Sequence, residues 1–177
     1  CGIYQYKTSN CKILNNDISD NRDYGVYLDQ YSSNNIIANN KIDSNNYQGI
    51  MIRDYCDNNV IRNNSISYNS YQGIYLYYYC QNTRIENNVI NGNTNSGILV
   101  NNNCDNTLIS NNTVDHNWYV GVNILNSNEP TITNNSISYT IKGAPSVNLR
   151  VQFSDDTLIA NNSIIGEDPL GVGLDVS

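Results

Sequence analysis

Tyrosine, aspartate and arginine recur at fixed distances after a repeated glycine. Two residues after Gly2, Gly25, Gly49 and Gly73 come Tyr4, Tyr27, Met51 and Tyr75, and four residues after come Tyr6, Asp29, Arg53 and Tyr77. If these segments are strands, residues two apart share a face, and both columns turn to solvent as one flat patch. Rings beside a carboxylate and a guanidinium are what a sugar-binding surface needs. The rings stack on the apolar faces of pyranoses, and the charges bond hydroxyls or uronates. The same rings would serve side-by-side packing of one copy on another. Stacked tyrosines also stabilise a sheet by themselves, at roughly 0.2 to 1 kcal/mol per cross-strand pair. Tyr31, Tyr55 and Tyr79 form a further column, read as structural.

Catalysis on a polysaccharide asks for more. A lyase needs a base and a group that neutralises the uronate, and a glycosidase needs two carboxylates about 5 to 9 Å apart. Asp29 with Arg53, on neighbouring repeats, is one candidate set, and Asp115 with His116, near Trp118, is the other. The second pair equally suits a solvated loop. Asp54 with Asp57 and Asp155 with Asp156 add acids, but none recurs as a dense cleft. No phosphate-cradling glycine loop and no nucleophile elbow is present in the sequence. The expectation leans away from an enzyme and requires no cofactor.

Cys56, Cys80 and Cys104 share one position of the repeat, with Ser32 and Ser9 assigned to the same position earlier in the chain. Side chains on stacked strands stay about 4.8 Å apart, beyond the usual Cβ separation of a disulfide. Three cysteines also cannot pair completely. Buried thiols packing as small hydrophobes are the preferred reading, with one disulfide and an odd partner as the alternative. A metal site is not expected, because the only histidine, His116, lies elsewhere. Cys1 and Cys11 stand outside the column.

The element that must position all of these is a repeat. Asn58 to Ile66, followed by Gly73 to Leu76 and Cys80, is restated 24 residues later as Asn82 to Ile90, Gly97 to Val100 and Cys104. Paired asparagines open the repeats at Asn15, Asn39, Asn63, Asn87 and Asn111, each 24 after the last, and recur at Asn134 and Asn161 after steps of 23 and 27. Gly25, Gly49, Gly73, Gly97 and Gly121 keep the same step, giving about seven repeats. The apolar set Ile37, Ile42, Ile50 and Ile52 is spaced 5, 8 and 2. A helix would need steps of 3 and 4, so three short strands separated by bends fit better. β-Branched residues suit strands, while Gly and Asn suit corners because both tolerate a left-handed backbone. A period of this length with this pattern marks a solenoid. Seven coils about 4.8 Å apart would build a rod roughly 34 Å tall.

One amide per coil can bond to its neighbours above and below and so form a ladder. The first asparagines of the pairs, Asn15, Asn39, Asn63, Asn87 and Asn111, are the expected rungs. Asn63, Asn111, Asn134 and Asn161 also begin glycosylation sequons, a reading that an inward-facing first asparagine would forbid.

The runs Ile37 to Ile42 and Gly49 to Ile52, with their equivalents in the other repeats, resemble the right-handed parallel β-helix repeat. That repeat is shared by pectate lyases, alginate epimerases, NosD-type periplasmic proteins and disaggregatase-related surface proteins of methanogenic archaea. The resemblance implies an all-β, single-stranded parallel β-helix with three short strands per coil over residues 1–177, as one domain. For activity it implies little, because the shared residues build the coil and leave chemistry to the outer loops.

Composition narrows the partners. Nine Lys and Arg against 16 Asp and Glu, a net charge of -7, and no basic stripe argue against nucleic acid and anionic membrane. No apolar run reaches the roughly 18 to 20 residues of a membrane helix. Both ends fall inside a repeat, so the chain is expected to be an uncapped excerpt of a longer protein or a self-stacking subunit. The leading expectation is an extracellular or cell-surface module, structural or carbohydrate-contacting. Its partners would be a polysaccharide or other copies of itself, end to end or side by side. The alternative is the scaffold of a polysaccharide lyase, hydrolase or epimerase.

Overall fold

Each three-residue strand has an aliphatic residue at its centre, flanked in many by polar ones, as in Lys41, Ile42 and Asp43 or Ser65, Ile66 and Ser67. Strand alternation sends the middle residue inward and its neighbours outward. The four-residue strands Val26–Asp29 and Ile50–Arg53 send in two, Val26 with Leu28 and Ile50 with Ile52. Because no single coil can bury these residues alone, they are buried only by stacking.

The computed structural model describes residues 1–138, 147–166 and 172–176. Among these, 22 strands form three parallel sheets and there is no helix. Sheet A has eight strands, from Ile3–Tyr6 to Val172–Val176. Sheet B has seven, from Lys12–Leu14 to Leu158–Ala160, and sheet C has seven, from Asp17–Ser19 to Ser163–Ile165. Every strand pairs with its equivalent in the next coil: Ile37 lies opposite Ile61, Ile42 opposite Ile66, and Ile50 opposite Ile74. The chain is therefore the expected three-stranded coil repeated about seven times. Its interior is one continuous aliphatic column in which Ile37, Ile42, Ile50 and Ile52 have no exposed surface.

The corners correct the assignment of the ladder. Asn15, Asn39, Asn63, Asn87 and Asn111 are exposed and sit in the left-handed region, with φ between 55° and 59°. The rungs are the next residues: Asn40 Nδ2 donates to Ile13 O at 2.9 Å and to Asn64 Oδ1 at 3.1 Å, and Asn64 Nδ2 repeats this on Ile37 O and Asn88 Oδ1. The physical reason is that the left-handed residue makes the bend and points its side chain out. The residue after the bend is the one turned toward the column. The acceptor asparagine of each sequon is consequently outward. Two further ladders went unread: Asn21, Asn45, Asn69, Asn93 and Asn117 at the corner between sheets C and A, and Asn35 with Asn59 between sheets A and B.

The repeat glycines are also there for a different reason than expected. Among the described glycines only Gly92 has a positive φ, 66°. Gly73 is needed because a Cβ would lie 2.8 Å from Gly97 O and 2.6 Å from Ile90 Cγ2, inside van der Waals contact.

Candidate functional site

The outer face of sheet A carries the predicted columns in register: Tyr4 beside Tyr27, Tyr27 beside Met51, Met51 beside Tyr75, and Tyr6, Asp29, Arg53 and Tyr77 in the second column. The Tyr4 and Tyr27 rings are 5.1 Å apart, and the Arg53 guanidinium lies 5.4 Å from the Tyr27 ring. Arg53 Nε pairs with Asp29 Oδ1 at 3.1 Å and with Asp54 at 3.2 Å, while Tyr4 OH donates to Asp29 Oδ2 at 3.1 Å. Burial pushes the Tyr27 phenol above its ordinary range, with Arg53 opposing the rise. Burial also pulls on the Arg53 guanidinium, but Asp29, Tyr27 and Asp54 together hold it above its usual value.

Two members of the expected patch are not on the surface. Asp29 is 4% exposed and Met51 6%. A methionine flanked at strand spacing by two tyrosines loses its exposure to them, and a carboxylate held by Arg53 and Tyr4 is covered by its own partners. The exposed patch is Tyr4 and Tyr6, with Tyr27, Arg53, Tyr75 and Tyr77 half-buried around them.

The aromatic belt is wider than the two columns. Tyr24 contacts Tyr27 at 4.7 Å and Tyr47 at 5.3 Å, and Tyr47 stacks on Tyr71 at 5.3 Å and 10°. On the other side Tyr75, Tyr77 and Tyr78 run in ring contact toward the stacked ladder of Tyr31, Tyr55 and Tyr79. Tyr24, Tyr47, Tyr71 and Tyr78 were missed by the sequence reading. The step of 24 between Tyr47 and Tyr71 was the signal available for that pair. Along the first column the belt stops where Leu99 replaces Tyr75.

Cys56, Cys80 and Cys104 are fully buried free thiols. Each Sγ donates to the carbonyl three residues back, at Arg53, Tyr77 and Asn101, as Ser32 Oγ does to Asp29 O. Ser32 N and Cys80 N bond to the sulfurs of Cys56 and Cys104 in the next coil. The column is thus a thiol and hydroxyl ladder. It continues down through Thr8, whose N–H bonds Ser32 Oγ, and not through Ser9. A hydrogen bond with Cys80, then burial, pushes the Cys56 thiol up, and burial does the same to Cys80. Ellman's reagent should therefore titrate only Cys1 and Cys11 in the folded protein, and all five thiols after unfolding. A third thiol reacting at the native rate would show that the column opens.

The second catalytic candidate is a real contact. His116 Nδ1 lies 2.7 Å from Asp115 Oδ2, and Ser138 Oγ donates to Asp115 Oδ1 at 2.8 Å. It is far in sequence and in coil position from the Asp29 and Arg53 pair, which sits on another sheet. Among the described residues no group of three or more His, Cys, Asp or Glu could hold a metal ion, and no helix is long and apolar enough to cross a membrane.

A three-sheet parallel coil with ladders at its corners defines a class, the β-helix proteins. The family model for a right handed beta helix region matches residues 1–137, and the chain belongs to that family. Among solved structures, it is similar to the periplasmic alginate epimerase AlgG, at 24% identity and a TM-score of 0.73 over 99% of this chain and 47% of that one. The A-module of the Azotobacter vinelandii mannuronan C-5 epimerase AlgE4 matches at 16% identity and a TM-score of 0.74, over 96% of this chain and 52% of that one. The enzymatically active domain of bacteriophage CBA120 tailspike protein 2 matches at 17% and 0.68, over 88% of this chain and 24% of that one. The chain spans about half the length, or less, of the structures it resembles. Among curated proteins none matches the chain.

Proposed function

We infer that the chain is a carbohydrate-contacting β-helix module of an extracellular or cell-surface protein, and that the outer face of sheet A in the first four coils is its contact surface. The observation that carries this is the belt of tyrosine rings around a fixed Asp29 and Arg53 pair. Rings held by ring contacts present apolar area at little entropic cost, and a guanidinium among them can meet a uronate. Two of the similar folds are named as alginate or mannuronan epimerases, which supports an acidic polysaccharide as the partner.

The geometry favours binding over turnover on this face. Both carboxylate oxygens of Asp29 are committed, to Arg53 and to Tyr4, so it is poorly placed to take a substrate proton. Calorimetric titration with alginate and polygalacturonate oligomers should give saturable binding, weakened about tenfold by Tyr27→Ala or Tyr75→Ala, the equivalent of one lost stacking contact. Absence of binding to every acidic polymer would refute the contact surface. New unsaturated or reducing ends in the same mixtures would replace the module reading with the enzyme scaffold.

A further inference from the structure

The corner between sheets B and C repeats a unit of three residues that divide the work. The first makes the left-handed bend and stands in solvent, the second enters the column as a rung, and the third opens the sheet C strand facing outward. Asn63 has a φ of 55° and is exposed, Asn64 bonds Asn88 from inside the coil, and Ser65 is exposed at the start of Ser65–Ser67. Asn111, Asn134 and Asn161 repeat the exposed bend, with φ of 56°, 56° and 58°. Each is followed by a rung and then by an exposed hydroxyl, Thr113, Ser136 or Ser163.

The coil itself uses only part of this unit. Its ladder consumes the second asparagine, and its bend asks of the first only a left-handed backbone. The third position tolerates Asp17, Lys41 and Val89 in other coils, so the fold does not require a hydroxyl there. Because the bend interrupts strand alternation, the outer amide and the hydroxyl two residues on both face solvent, with the residue between them turned inward. An asparagine followed at that distance by Ser or Thr, on the surface, is the acceptor pattern for an N-linked sugar.

We propose that this ridge is an N-glycan attachment site, with Asn63, Asn111, Asn134 and Asn161 as its acceptors. In each transfer the Asn Nδ2 attacks the anomeric carbon of a lipid-diphosphate-linked oligosaccharide. The new N–C bond replaces the bond from that carbon to the diphosphate oxygen, the lipid diphosphate leaves, and the amide gives up one proton. The modification rests on the extracellular location inferred above, but not on sugar contact by sheet A. Sheets B and C meet on the side of the coil away from sheet A, so attached chains leave the aromatic belt clear.

Spacing limits how many sugars the ridge carries. Asn111, Asn134 and Asn161 belong to successive coils, about 4.8 Å apart, too close for a branched chain on each. Asn63 is separated from Asn111 by a whole coil, in which Val89 stands where Ser65 and Thr113 carry hydroxyls. Full occupancy is therefore expected at Asn63, and at no two neighbours among the other three.

The folded chain can be incubated with a lipid-diphosphate heptasaccharide and a single-subunit oligosaccharyltransferase that reads only the three-residue sequon, and its glycopeptides mapped by mass spectrometry. Asn63 should be modified in most molecules, and the intact mass should never exceed the parent by more than three glycans. Ser65→Ala should abolish modification at Asn63 with circular dichroism unchanged, because the side chain is exposed. Val89→Thr should turn Asn87, silent in the parent, into an acceptor. The proposal is overturned if the folded chain takes no sugar at Asn63 in a reaction that modifies a synthetic peptide of residues 58–70. It is equally overturned if Ser65→Ala leaves the Asn63 glycan in place, or if single molecules carry sugars on all four asparagines. Calorimetry with acidic polymers reads the sheet A surface separately, so either proposal can fail without the other.

Discussion

Asn64→Ala should lower the stability of the folded chain by about 3 to 5 kcal/mol, while Asn63→Ala next to it should cost about 1 kcal/mol. Asn64 is 2% exposed. Its Oδ1 accepts from Asn40 N at 2.9 Å and Asn40 Nδ2 at 3.1 Å, and its Nδ2 donates to Ile37 O at 2.9 Å and Asn88 Oδ1 at 3.0 Å. Alanine removes all four bonds and strands the Asn40 amide and the Ile37 carbonyl in a site water cannot reach. Each such group costs roughly 1 to 3 kcal/mol. Asn63 gives up only its tolerance of a left-handed backbone, since its side chain is in solvent. Urea unfolding followed by far-ultraviolet circular dichroism measures both. Equal losses at the two positions would show that the ladder does not run through Asn64.

Gly73→Ala should cost about 3 kcal/mol, at the upper end of what overpacking usually does. The added methyl meets three groups at once: Ile90 Cγ2 at 2.6 Å, Gly97 O at 2.8 Å and Asn93 Nδ2 at 2.9 Å. None can retreat freely. Ile90 is in the core, Asn93 is a rung of the ladder between sheets C and A, and Gly97 O accepts the Ile74 amide at 2.9 Å. Relief therefore stretches a sheet A hydrogen bond or a corner, and the strain is passed to the neighbouring coil. Gly92→Ala is a useful contrast, because there the methyl meets the outer end of the Tyr68 side chain as well as an unfavourable φ. If Gly73→Ala unfolded at the same urea concentration as the parent, the close approach of successive coils would be disproved.

Much of this fold was legible because strand alternation has a period of two that survives in the letters. Ile37, Ile42, Ile50 and Ile52 could be placed inside from their neighbours alone, and all four are fully buried. Adding 24 to each then located the partner of every strand from residue 41 to Asn101, as the pairing of Ile42 with Ile66, and of Ile66 with Ile90, shows. The site was legible only in part. Tyr4, Tyr6 and Tyr27 do share a face with Asp29 and Arg53, but exposure depends on what stands one coil above and below, and the sequence does not print that as a local pattern. Met51 reads like Tyr27 and Tyr75 in position, yet its smaller side chain between two tyrosines leaves it buried.

By itself the sequence determined the length of the coil, the number of strands in it and the residues that face inward along each strand, because these follow from backbone periodicity and apolar burial. Tertiary structure alone decided which asparagine of each pair enters the column. A left-handed corner breaks the alternation, so inward and outward can no longer be counted across it. It also decided that the glycines mark close approach, and that Tyr68, Gly92, His116 and Trp118 border one pocket. Tyr68, Gly92 and His116 stand at steps of 24 residues in the chain and become neighbours only when three coils stack in register, which no single repeat can specify.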